Sequence, residues 1–110
     1  MEGQSSAKMM RALGAQLTNL LGPIDVHGLP RETREVVEVI RGQLVDARLD
    51  VRDYELAETR AEQQKLASAT RERLERLQQH ILAASPHGIF GAADVAELSA
   101  RLQQIISHVT

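Results

Sequence analysis

The chain has 110 residues, 43% of them hydrophobic, but only one Phe, one Tyr and no Trp. Its core must therefore come from Leu, Val, Ile, Ala and Met, which suits helix-on-helix layers. A formal net charge of −2 gives no general attraction for nucleic acid or an anionic membrane. The absence of Cys excludes disulfides, thiol catalysis and thiolate metal sites.

By length, residues 1–110 read as a single all-helical domain. No run approaches the ~20 apolar residues that a membrane span needs. Residues 12–21, behind Lys8 and Arg11, contain Gln16, Thr18 and Asn19, too polar for a signal-peptide core. A cytoplasmic protein without membrane contact is the expectation. Eleven of the thirteen basic residues are Arg, a bias that points to a GC-rich, bacterial genome.

Residues 1–6 are small and polar and are expected to be poorly ordered. Over 7–21, Met9, Met10, Leu13, Leu17, Leu20 and Leu21 recur at amphipathic helical spacing. Ser5 or Ser6 offers an N-cap, and Gly22-Pro23 ends the helix. Gly14 inside it costs about 1 kcal/mol relative to Ala, so it marks a candidate close approach. A connector over 22–29 leads to Pro30, well placed in the first turn of the next helix.

Residues 30–84 are the long central stretch. It contains no Gly or Pro beyond Pro30 and Gly42, and one straight helix of that length would span about 80 Å. Two apolar rows run through it: Val37, Ile40, Leu44, Ala47, Val51 and Tyr54, then Ala67, Thr70, Leu74, Leu77, Ile81 and Ala84. A 3.6-residue period carries one row into the other, so one continuous or mildly bent helix is expected. The polar waist at 55–65 leaves room for a break near 50–60, and Asp50 and Asp53 are the favoured points because Asp prefers caps to helix interiors. Residues 31–59 hold five Arg against eight acids, and residues 60–84 hold five bases against three acids.

Ser85-Pro86-His87-Gly88 terminates the long element. The apolar Ile89 and Phe90 follow between Gly88 and Gly91, where packing is the expected role. Asp94 and Glu97 have capping-box spacing. Val95, Leu98, Leu102, Ile105, Ile106 and Val109 then define a helix over 93–109.

Little in the sequence carries chemistry. The four His residues form no HExxH and no Glu-x-x-His, and the corner of His80, His87 and Asp94 is the one place where a ligand or metal could be held. No serine sits in a nucleophile motif. The one basic cluster, Arg71, Arg73 and Arg76, is interleaved with Glu72 and Glu75 and lacks aromatic platforms. No catalytic residue, cofactor or metal is expected, and nucleic acid is not an expected partner.

The predicted architecture is all-α: short, long and short helices around the long central helix, a hairpin or bundle completed by antiparallel homodimerisation. The dimer core would be Val37, Ile40, Leu44, Val51, Leu74, Leu77 and Ile81. The predicted function is a non-enzymatic protein–protein interaction module, an adaptor, assembly chaperone or regulator, whose partners are itself and one unidentified protein. Met9, Met10, Leu13, Ile89 and Phe90 are the candidate partner contacts, because apolar residues beyond self-packing, Met above all, suit adaptable surfaces. The alternatives are a ligand- or metal-binding bundle at the His80/His87/Asp94 corner, and a DNA-associated accessory protein using the face from Arg71 to Arg76.

Overall fold

The computed structural model describes residues 5–109. Four helices account for most of them: α1 (Ser6–Leu21), α2 (Arg31–Leu56), α3 (Arg60–Ala83) and α4 (Ala92–His108). One-turn 3-10 segments at Val26–Gly28 and Ser85–His87 sit in the first and last connections. The expectation of disorder over residues 1–4 lies outside the described residues. Ser5 and Ser6 already belong to α1: Ser5 caps it by accepting from the Lys8 N–H at 3.1 Å, and Ser6 is buried.

The long stretch is bent so sharply at residues 57–59 that it becomes an antiparallel hairpin of α2 and α3. The molecule accordingly measures 47 × 26 × 19 Å. The break falls inside the expected window but beyond Asp50 and Asp53. Ala57 and Thr59 take extended backbone angles, and the Thr59 hydroxyl accepts from the Glu62 N–H at 3.1 Å. That is one half of a capping box, with Thr at the cap and Glu three residues on. On the other side of the bend, the Gln63 side-chain amide donates to the Tyr54 carbonyl at the frayed end of α2. The polarity of the waist has a simple cause: it is a hairpin turn in water.

Asp50 stays helical because it has a partner. Arg73 on α3 donates from Nε to its carboxylate at 2.6 Å and lies 3.4 Å from Asp46. The modest cost of Asp in a helix interior is thereby offset by a contact that only the hairpin makes.

α1 and α4 complete the bundle. α1 lies against α2 and α4, and α4 against α3 and α1. Arg41 donates to the Leu21 carbonyl, while Glu55 accepts from the Ala7 N–H at 2.7 Å, so α1 runs antiparallel to the second half of α2. Gln78 donates to the Ser99 carbonyl, and the Tyr54 hydroxyl reaches the His108 carbonyl at the turn end. The order is up-down-up-down, the usual solution for helices joined by short connections.

The core runs through the centre of this ring. Leu13, Leu17, Val37, Ile40, Val51, Leu74, Leu77, Ile81, Leu98, Leu102 and Ile105 are fully buried, and Leu44 nearly so. Each sits on the row that the helical period assigned it. Asp94 does not cap α4: the cap position is Gly91, and Asp94 lies in the first turn, where a carboxylate favours the positive helix end. Gly14 is buried beneath the Arg48 side chain, whose Cδ would lie 3.7 Å from an added Cβ, an ordinary contact. The approach at Gly14 is thus by a flexible side chain and leaves space for a methyl group.

Candidate functional site: an arginine-flanked groove between α1 and α2

The residues of the expected dimer core are occupied within one chain. Val37, Ile40, Leu44, Val51, Leu74, Leu77 and Ile81 all face the intramolecular core. One straight helix over 30–84 would leave an apolar stripe for a second copy to cover; the hairpin covers that stripe within the chain. Of the candidate partner contacts, Met10, Leu13 and Phe90 are buried, while Met9 and Ile89 are half-buried at its edge. Phe90 fills the corner beyond Gly88, which adopts the left-handed conformation (φ 70°) that glycine favours.

The His80/His87/Asp94 corner does not converge. His80 donates from Nδ1 to the Arg76 carbonyl at 2.8 Å, and His87 Nδ1 shares a hydrogen bond with Thr33 Oγ1 at 3.0 Å. Among the described residues no three His, Cys, Asp or Glu side chains gather to hold a metal ion. The basic cluster is divided as well. Arg73 turns to Asp46 and Asp50, Arg76 pairs with Glu72 at 2.6 Å, and Arg71 stands exposed.

A different feature emerges on the outer side of α1 and α2. A hollow of about 410 Å³ lies between them, floored by Ala7, Met10, Val45 and Leu49 and edged by Arg11, Arg48 and Arg52. A second hollow of about 310 Å³ shares Val45 and Arg48 and continues past Leu44 and Arg41 to Thr18, Leu21 and Gly22. The two hollows lie one behind the other along α1, the first beside its N-terminal turns and the second beside its C-terminal end, with Val45 and Arg48 lining both. Val45 is 56% exposed and Leu49 45% exposed, although both are large and apolar. Leu56, further along α2, is 69% exposed.

The groove's electrostatics are one-sided. Arg11 and Arg48 form no ion pair with any described residue. Arg52 has only the adjacent Asp53 at 3.6 Å, both well exposed, and Arg41 serves the Leu21 carbonyl. Glu55 is committed to the Ala7 N–H. Arg41, Arg48 and Arg52, spaced by seven and four residues, share one flank of α2 with Val45. That spacing was present in the sequence. A charge sum over 31–59 averages it against the acids on the opposite flank and hides it.

The chain matches no known family model, no curated protein and no solved structure. No described helix is long and apolar enough to cross a membrane.

Proposed function

We propose that this protein is a non-enzymatic helical interaction module that docks one protein partner in the groove between α1 and α2. The observation that supports this is that two of the exposed large apolar residues, Val45 and Leu49, line the same hollow beside three arginines. Apolar residues scattered singly on a surface need no explanation, but here two of them line one hollow between two helices, and apolar hollows of this kind mark interaction sites. In this reading Met10 contributes from the groove floor, while Met9, Leu13, Ile89 and Phe90 hold the bundle that presents it.

A photo-crosslinking residue placed at position 49, with the protein expressed in its native cell, tests this. A discrete protein adduct is expected there and none from the same probe at Ser68 on the polar outer face of α3. Equal labelling at both positions, or none at 49, would sink the reading.

We further propose that the chain meets this partner as a monomer. The residues expected to pair two copies are already buried within one chain. Sedimentation at micromolar concentration is expected to show a 12.1 kDa species; a species of twice that mass would overturn the monomer and favour the dimer.

A further inference from the structure

We infer that the occupant of the groove is an acidic amphipathic helix of a partner protein, seated lengthwise between α1 and α2. This rests on the docking reading above and adds the chemistry of the partner. Shape is the first argument. Two hollows, of about 410 and 310 Å³, lie one behind the other along α1, and this elongated footprint suits a helix laid along α1 better than a compact small molecule. Such a helix would lay apolar residues at spacings of three and four onto Val45 and Leu49.

Charge is the second argument, and it chooses among occupants. The chain as a whole carries −2, yet this flank carries Arg11, Arg48 and Arg52, and two of the three have no carboxylate partner among the described residues. A basic flank without counter-charges complements glutamates or aspartates beside the apolar stripe of an incoming helix. A second copy of this chain is a weaker candidate, because the apolar residues expected to pair two copies are buried within one chain. An anionic lipid surface matches the charge, but it does not require a channel with two walls. Arg48 is the pivotal residue. Its Cδ and its guanidinium Nε and Nη1 lie over Gly14, and it lines both hollows, so it can serve a ligand in either.

The test uses the full chain and two synthetic 21-residue helical peptides. Both carry leucine at spacings of three and four; one has Glu on the flanks and the other Lys. Methyl NMR shifts of Val45 and Leu49 report binding, with Leu82 on α3 as the control. The Glu peptide is expected to bind about tenfold or more tightly than the Lys peptide, since each exposed charge pair contributes up to a few-fold. That preference should fall with salt and reverse in an R48E/R52E variant. R48Q/R52Q, which introduces no new charge, should reduce it to the few-fold that Arg11 alone supplies, and circular dichroism checks that both variants fold.

Equal binding of the two peptides would overturn the acidic assignment, while the crosslink at position 49 would still stand for the docking reading. Shifts produced by phosphatidylglycerol vesicles and by neither peptide would overturn it in favour of a lipid surface. Shifts from none of these probes would overturn the helical occupant.

Discussion

On the flank of α2 that faces α3, Arg73 reaches Asp50 at 2.6 Å and Asp46 at 3.4 Å. On the flank that faces α1, Arg48 reaches no carboxylate at all among the described residues, and Val45 and Leu49 beside it remain in water. The two flanks belong to one helix with one composition, so propensity does not separate them. The first flank is completed inside the chain, in apolar contact and in charge. The second is covered by a helix of sixteen residues against twenty-six in α2, and has both kinds of contact left over. The hairpin side is satisfied within the chain, and the α1 side leaves apolar and charged groups exposed.

The largest expected effect sets these flanks apart directly. Leu74 is fully buried within the hairpin, and Leu74→Ala should cost about 2–5 kcal/mol in urea denaturation, the range for deleting a buried leucine side chain. Leu49→Ala removes the same atoms from a half-exposed site and should stay within about 0.5 kcal/mol. Comparable losses at the two sites would mean that Leu49 is buried in solution and that the groove is closed. The hairpin turn comes next. Thr59→Ala removes the cap on α3 and should cost about 1 kcal/mol, while Thr59→Ser should recover most of it.

The sequence revealed the helices and the core more completely than the way they connect. Periodicity marked the inward rows of all four helices, because burial selects apolar residues at 3.6 spacing whatever the partner is. It could not say whether the two rows of residues 30–84 face the same neighbour or each other. A straight helix and a hairpin with its turn at 57–59 place the same residues inward. The deciding signal was local: Thr59 with Glu62, a cap flanked by exposed polar residues. The sequence reading passed over that cap and favoured Asp50 and Asp53, because the cost of Asp in a helix is known from sequence whereas the relief of Asp50 by Arg73 exists only in three dimensions. The groove was half-legible. Arg41, Arg48 and Arg52 announce a shared face, but the exposure of Val45 and Leu49 depends on where α1 lies.

Glycine substitutions probe the same contrast with smaller effects. An added Cβ at Gly42 would meet nothing within 4 Å, so Gly42→Ala on the open outer side of α2 should stabilise the bundle by up to about 1 kcal/mol. Gly14→Ala should also stabilise, by less, because the new methyl group must share space with Arg48. Gly88→Ala should have the opposite sign, a loss of about 1 kcal/mol, since φ of 70° is strained for alanine. A loss at Gly14 would show that α1 sits closer to α2 than the Arg48 contact implies.

The smallest expected effect is the most direct test of how the arginines differ. Arg73 is about a third exposed and Asp50 somewhat less, so their pair is partly screened by solvent despite its short distance. A double-mutant cycle of Arg73→Ala with Asp50→Ala should give a coupling of about 0.2–1 kcal/mol, reduced in 1 M salt. Arg48→Ala, which breaks no ion pair, should change stability by at most a few tenths of a kcal/mol through the lost packing of its stem on Gly14. The asymmetry matters more than either value. If Arg73 holds the hairpin while Arg48 holds nothing in the free protein, the charge at Arg48 has no structural work within the described chain. An arginine fixed over a groove, without effect on stability, is available for an external carboxylate. Should Arg48→Ala instead destabilise as much as Arg73→Ala, Arg48 would belong to the fold, and the case for an acidic partner would lose its central residue.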